Sequence, residues 1–136
     1  MQTCARALRD DFPSITFSSV YRTVARDEEQ QDDFLNAVAK IETDESPEEV
    51  YERLKSIEED LGKDPPYNKG PRTIDLDILL YENYQLATRN SQLIIPHPRM
   101  TERRFVLEPL CELEDSWNDA LQKTLDQSCK RIDLRL

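Results

Sequence analysis

Asp75 and Asp77 are the side chains best placed to do chemistry. They sit in Gly70-Pro71-Arg72-Thr73-Ile74-Asp75-Leu76-Asp77-Ile78-Leu79-Leu80, which opens on a Gly-Pro turn, alternates from Thr73 and then becomes wholly apolar. That pattern predicts a buried strand. Side chains two apart on a strand share a face, so both carboxylates point one way while Ile74, Leu76 and Ile78 point the other way into a core. Neighbouring carboxylates repel and lose solvation, and they need a positive partner. A hard divalent cation suits them, because Mg2+ takes one or two carboxylates together with substrate phosphates. Arg72, just ahead of the pair, carries the planar fork that holds phosphate oxygens. The plainer alternative is an edge strand whose acidic face lies in water. Arg72 in front and the apolar run behind favour a metal–phosphate site.

These residues have to be positioned by the elements around them. Met1 to Leu8 reads as the tail of an amphipathic helix that stops near Asp10-Asp11 and Phe12-Pro13. Ile15 to Thr23 is β-rich and alternating, as is Phe34 to Thr43, with a polar, acidic loop over Val24 to Asp33 between them; this predicts an antiparallel pair. Ser46-Pro47-Glu48-Glu49 has the chemistry of a helix start: a capping hydroxyl, proline at the first position and acidic residues at the positive end of the dipole. Val50, Leu54, Ile57 and Leu61 mark one face of that helix, which stops at Gly62. Lys63 to Lys69 is a Pro-containing loop. Tyr84 to Leu86 and Leu93 to Ile95 are short strand candidates, and Pro96-His97-Pro98 ends the second. Glu102 to Leu113 reads as a helix with Pro109 as its weak point, and Trp117 to Leu136 as a further helix. Mixed strands and helices with antiparallel pairing give an α+β layered fold.

Composition narrows the function classes. A chain of 136 residues is long enough for one core and is read as a single domain, 1–136. Its 18 basic and 28 acidic residues give a net charge of −10, which argues against a general nucleic-acid or anionic-membrane surface. No stretch approaches the roughly 18 apolar residues of a membrane span, and the first residues lack a signal-peptide core. Cys4, Cys111 and Cys129 are scattered thiols without metal or disulfide spacing, as in a reduced compartment. The expected location is the cytoplasm, with the mitochondrion as the alternative.

The signature around Asp75 and Asp77 resembles that of the 6-hydroxymethyl-7,8-dihydropterin pyrophosphokinase family. The likeness runs from about Val20 to Leu113, through Tyr21-Arg22-Thr23, Asp33-Phe34-Leu35-Asn36-Ala37-Val38 and Pro96-His97-Pro98-Arg99-Met100-Thr101-Glu102-Arg103-Arg104-Phe105-Val106-Leu107-Glu108-Pro109-Leu110. The last string looks most like fungal versions, which are often one module of a longer folate enzyme. The resemblance implies a ferredoxin-like α/β sandwich with a mainly antiparallel sheet and helices packed on it. It also implies transfer of a diphosphate from ATP, the co-substrate, to a pterin alcohol.

By the same resemblance, Asp75 and Asp77 hold two Mg2+ ions that bridge the ATP phosphates. Arg72, His97 and Arg103 handle phosphate charge, and Lys63 stands where the family usually has an arginine of a mobile loop over ATP. Phe34 and Phe105 sandwich the flat pterin ring, and Asn36 offers donor and acceptor to its edge. Such stacking contributes about 0.5–1.5 kcal/mol beyond area burial. Glu58 matches an acidic residue near the site. On residue pattern alone the alternatives differ: Phe34 and Phe105 as core aromatics, His97 as a structural hydrogen-bonder, Glu58 as a surface carboxylate. Arg104 reads as a surface arginine and Arg99 as a surface contact.

The chain departs from the family in places. The resemblance implies a preceding strand ending in Gly-Ser-Asn, with residue 1 already inside the first helix. Val24-Ala25-Arg26-Asp27 replaces a Pro-rich loop, and Lys69-Gly70 a Trp-Gly pair. The expected function is Mg2+-dependent diphosphate transfer from ATP in folate synthesis, giving AMP, with other folate-pathway domains as candidate partners. The rival is a non-catalytic module that binds a pterin or a partner on the same scaffold. A generic two-carboxylate phosphatase is a third option.

Overall fold

The computed structural model describes residues 1–23, 34–62, 74–82, 85–87 and 93–136. They fall into two compact units, each assembled from two separated segments. The first unit comprises Met1–Pro13 with Thr43–Pro98, and the second Ser14–Glu42 with Arg99–Leu136.

In the first unit, helices α1 (Gln2–Asp11) and α2 (Pro47–Gly62) pack together. The apolar stripe of α1 buries Cys4, Ala5 and Leu8, and that of α2 buries Val50, Leu54 and Ile57. The start of α2 is closed reciprocally. The Ser46 hydroxyl accepts the Glu49 amide at 3.2 Å, and the Glu49 carboxylate accepts the Ser46 amide at 3.3 Å. Pro47 at the first position is itself buried. The expected start of this helix is therefore met, and Gly62 is its last described residue. A short antiparallel ladder joins β5 (Leu86–Ala87) to β6 (Ile94–Ile95).

The second unit is built on a long hairpin. Strand β1 (Thr16–Phe17) pairs with β4 (Ala39–Lys40), and β2 (Val20–Thr23) with β3 (Phe34–Asn36), both antiparallel as expected. The register changes between the two ladders. Phe17 faces Ala39 but Tyr21 faces Asn36, so Ser18, Ser19 and Val20 stand opposite only Ala37 and Val38. This extra residue is a β-bulge. It splits the single strand expected over Ile15 to Thr23, because Ser18 supplies both backbone and side-chain bonds there. Its amide donates to the Val38 carbonyl, and its hydroxyl accepts the Val38 amide, each at 2.8 Å.

Helix α3 (Arg104–Leu113) packs on β2, giving a helix-on-sheet layer whose centre holds Val20 and Leu107, both fully buried. Pro109 does not interrupt it. The proline lies in the core beside Leu107 and Leu110, and that packing holds the turn closed despite the missing amide. The helix expected over Trp117 to Leu136 is overturned. Only α4 (Asn118–Gln122) is helical after a 3-10 turn at Asp115–Trp117, and β7 (Lys130–Ile132) pairs antiparallel with β2. The Thr124 hydroxyl donates to the Leu121 carbonyl and ends the helix locally. The open side of β2 then recruits Lys130 to Ile132, a case of tertiary pairing overriding local propensity. Among the described residues the ladder order is β3-β2-β7. The mixed α+β class with antiparallel pairing is thus what the chain adopts.

Candidate functional site

The acidic signature segment lies in the first unit. From Ile74 to Ile78 exposure alternates, with Asp75 and Asp77 exposed and Ile74, Leu76 and Ile78 half-buried. The period-two spacing is as expected. The buried strand is not: residues 74–80 carry no ladder, and their apolar side chains are not fully enclosed. Two of their backbone groups are bonded elsewhere. The Leu76 amide donates to Glu58 Oε1 at 3.0 Å, and the Leu79 carbonyl accepts the His97 amide at 2.9 Å. A side chain and a loop amide stand where a neighbouring strand would.

Glu58 is therefore neither a surface carboxylate nor a ligand awaiting a partner, since it pins the segment that carries Asp75 and Asp77. It also accepts from Lys55 Nζ at 2.8 Å. Lys55 lies 5.2 Å from the Tyr51 ring centroid, in cation–π range. Burial pulls the Lys55 ammonium down. The hydrogen bond to Glu58, with the charges of Glu58, Tyr51 and Asp77, outweighs that and holds it above the ordinary lysine value.

Tyr51, Asp77, Ile78, Leu93, Ile94, His97 and Pro98 line one pocket of about 130 Å3. It combines a carboxylate, an imidazole and apolar walls, a mixture suited to a polar ligand with a flat or apolar portion. Asp75 is exposed beside it but does not line it. Among the described residues no three His, Cys, Asp or Glu side chains gather as a metal-binding group. Two exposed carboxylates in alternating register remain a fitting donor set for Mg2+, which takes few protein oxygens and completes its shell from phosphate and water. Arg72 and Lys63, expected on the phosphates, lie outside the described residues.

The residues expected to seat a flat ring lie in the second unit. Phe34 is 53% exposed on β3, with Asn36 two positions on. Asn36 Nδ2 donates to Thr23 Oγ1 at 3.4 Å. Helix α3 contacts β3, and its first turn carries Phe105, half-buried, with the Arg103 guanidinium 5.5 Å from its ring centroid. Phe34 is thus not a core aromatic. Arg104 is not a plain surface arginine either: it ion-pairs with Glu108 at 2.8 Å and donates to the carbonyls of Leu125 and Gln127. It ties α3 to the following loop. Arg99 is exposed, 3.8 Å from the Glu102 carboxylate. The three cysteines are free, and burial raises each thiol above its ordinary value, so they are weak nucleophiles.

Two groups escaped the sequence-based expectation. Lys55 pairs with Glu58 and lies over Tyr51 on the same helix, and it matters here because Glu58 also binds the Leu76 amide. Glu112 accepts the Ser19 amide at 2.9 Å and the Tyr21 hydroxyl, contacts that span 93 and 91 residues of sequence.

An acidic pair on a short alternating segment, with a histidine sharing a pocket with one of the acids, is an arrangement that a phosphoryl-transfer protein could use. The family model of 7,8-dihydro-6-hydroxymethylpterin-pyrophosphokinase matches residues 1–115, and the chain belongs to that family. It is 42% identical over 116 residues to the 2-amino-4-hydroxy-6-hydroxymethyldihydropteridine pyrophosphokinase of Bacillus subtilis, covering 85% of this chain and 68% of that one. It is 43% identical over 99 residues to the Haemophilus influenzae protein of the same name, covering 73% of this chain and 61% of the relative. It is 35% identical over 119 residues to a folic acid synthesis protein of Dictyostelium discoideum, covering 88% of this chain but 17% of that longer one. The chain thus spans about two thirds of these bacterial relatives and a small part of the longer one. The expected family, and the enzyme class that goes with it, are borne out at that level. Among the described residues, no helix is long and apolar enough to cross a membrane.

Proposed function

We propose that residues 1–136 act as one pyrophosphokinase domain that transfers the β,γ-diphosphate of ATP to the hydroxymethyl group of 6-hydroxymethyl-7,8-dihydropterin, releasing AMP. The observation that carries this reading is the pocket that Asp77 and His97 share, beside an exposed Asp75. Asp75 and Asp77 would hold Mg2+. When bound, that ion supplies charge neutralisation on the phosphates and a template for in-line displacement.

The protein groups do the remaining work by placement. Phosphoryl-type transfer leaves little covalent chemistry to a protein, so orientation and charge dominate. The pterin hydroxyl oxygen bonds to the β-phosphorus, the bond from that phosphorus to the bridging oxygen of AMP breaks, and the hydroxyl proton passes to solvent. His97, with its backbone tied to Leu79, donates a ring N–H to phosphate; no general-base role is assigned to it. Lys55 keeps positive charge beside Asp77. Arg72, Arg103 and Lys63 complete the phosphate set. Phe34 and Phe105 stack on the ring and Asn36 reads its edge, a role supported by the open face of Phe34 and the contact of β3 with α3.

Incubation of the protein with ATP, Mg2+ and the pterin, with products separated by chromatography, should yield AMP and a pterin diphosphate, and no turnover once EDTA is added. ADP or free phosphate in place of AMP would overturn the reading in favour of a phosphatase. Pterin binding without any turnover would leave the non-catalytic module.

A further inference from the structure

The bulge in the hairpin leaves an amide that is not paired across the strands and takes a side chain as its partner. The Ser19 amide finds Glu112 Oε1 on α3 at 2.9 Å. The other oxygen of the same carboxylate accepts the hydroxyl of Tyr21, two residues further along β2. One side chain of the helix therefore grips the strand at two points. Burial works against the charge on Glu112, but the bonds from Tyr21 and Ser19 outweigh it and keep the carboxyl below its ordinary value. Burial, then the bond to Glu112, push the Tyr21 hydroxyl well above its ordinary value. The contact is thus a charge-assisted bond between an ionised acid and a neutral phenol.

The strand register connects this grip to the ring seat. Tyr21 faces Asn36 and Thr23 faces Phe34 across the β2–β3 ladder, and Thr23 Oγ1 accepts the Asn36 amide. Fixing β2 on α3 consequently fixes Phe34 and Asn36 relative to Phe105 on the first turn of the same helix. We propose that Glu112, acting through Tyr21 and Ser19, is a positioning residue for the pterin seat, setting where β3 lies along α3. The inference rests on the pyrophosphokinase reading above. A ring stacked between two aromatics and read at its edge tolerates little slippage, because small misplacements of binding groups cost large factors.

The test uses the full protein and the variants Tyr21→Phe, Glu112→Ala and Glu112→Gln. Steady-state kinetics would be measured for each substrate in turn, with melting temperature alongside. Tyr21→Phe and Glu112→Ala should raise the pterin KM about tenfold, while the ATP KM changes by less than about twofold. Glu112→Gln keeps an acceptor for the Ser19 amide and a hydrogen-bonding atom for Tyr21, and should recover most of the loss. An unchanged pterin KM in Tyr21→Phe and Glu112→Ala would overturn the proposal. So would a parallel loss for both substrates that tracks melting temperature, the mark of a merely structural contact. If Glu112→Ala does not fold, Tyr21→Phe decides alone, since it keeps the ring and removes one bond. A parent protein that neither binds pterin nor releases AMP would instead bring down the pyrophosphokinase reading, and this inference with it.

Discussion

The segment that carries Asp75 and Asp77 and the layer that carries Phe34, Asn36 and Phe105 are held in different ways. In the first unit, residues 74–80 carry no ladder; the Leu76 amide donates to the Glu58 carboxylate and the Leu79 carbonyl accepts the His97 amide. In the second, β2 is bonded on both sides and covered by α3, with Val20 and Leu107 completely enclosed. A pair of carboxylates needs exposure and a nearby positive charge more than a rigid lattice, because its ligands arrive with the substrate. A ring seat has no such help. Its geometry has to be built into the protein beforehand.

The contrast can be broken by substitutions that should hurt one property and spare the other. Leu107→Ala removes a fully buried side chain from the second unit and should cost about 2–5 kcal/mol in urea unfolding; a loss below about 1 kcal/mol would mean the layer is not the ordered part. Asp77→Ala should lower AMP formation by roughly 10²–10³-fold, the scale seen when a single preorganised electrostatic group is lost. Its unfolding free energy should shift by no more than about 0.5 kcal/mol, since the residue is exposed. A matching loss of stability would show that the acid serves the fold. Ser46→Ala opens the capping box of α2 and should cost about 0.5–2 kcal/mol by thermal unfolding.

Smaller effects sharpen the picture. Glu112 has a depressed folded value, so its contribution is complete above the ordinary carboxylate range and is lost as pH falls through the folded value. The unfolding midpoints of parent and Glu112→Gln should therefore converge on acidification below about pH 4. A gap that stays constant with pH would show that the ionised acid contributes nothing. At the small end, Lys40 and Glu114 pair at 2.8 Å with both side chains about half exposed. Removing either should leave the unfolding midpoint nearly unchanged, and the more so in high salt.

Local chemistry was legible where neighbours in sequence are also partners in space. The start of α2 could be read from Ser46, Pro47 and Glu49 because the cap closes within three residues. The alternation of Asp75 and Asp77 showed in the sequence for the same reason, and so did the antiparallel hairpin. The sequence could not show that residues 74–80 form no ladder, since that depends on Glu58 reaching an amide 18 positions away. The bulge was hidden because Ser18 and Ser19 look like ordinary strand residues until Val38 and Glu112 are placed against them. Strand β7 is hidden in the sequence because Lys130, Arg131 and Ile132 are too few to show a period of their own. The ion pairs of Arg104 with Glu108 and Lys55 with Glu58 stand at helical spacing, but the bonds from Arg104 to Leu125 and Gln127 and from the Leu76 amide to Glu58 do not show in it.

Strand β3 borders the described ladder on one side only, and it shows water both Phe34 and Leu35. The platform proposed for a planar guest is also an invitation to any other sticky backbone that drifts past. Concentrated solutions should therefore cloud sooner when the guest is withheld, and a saturating planar ligand should double as a solubiliser.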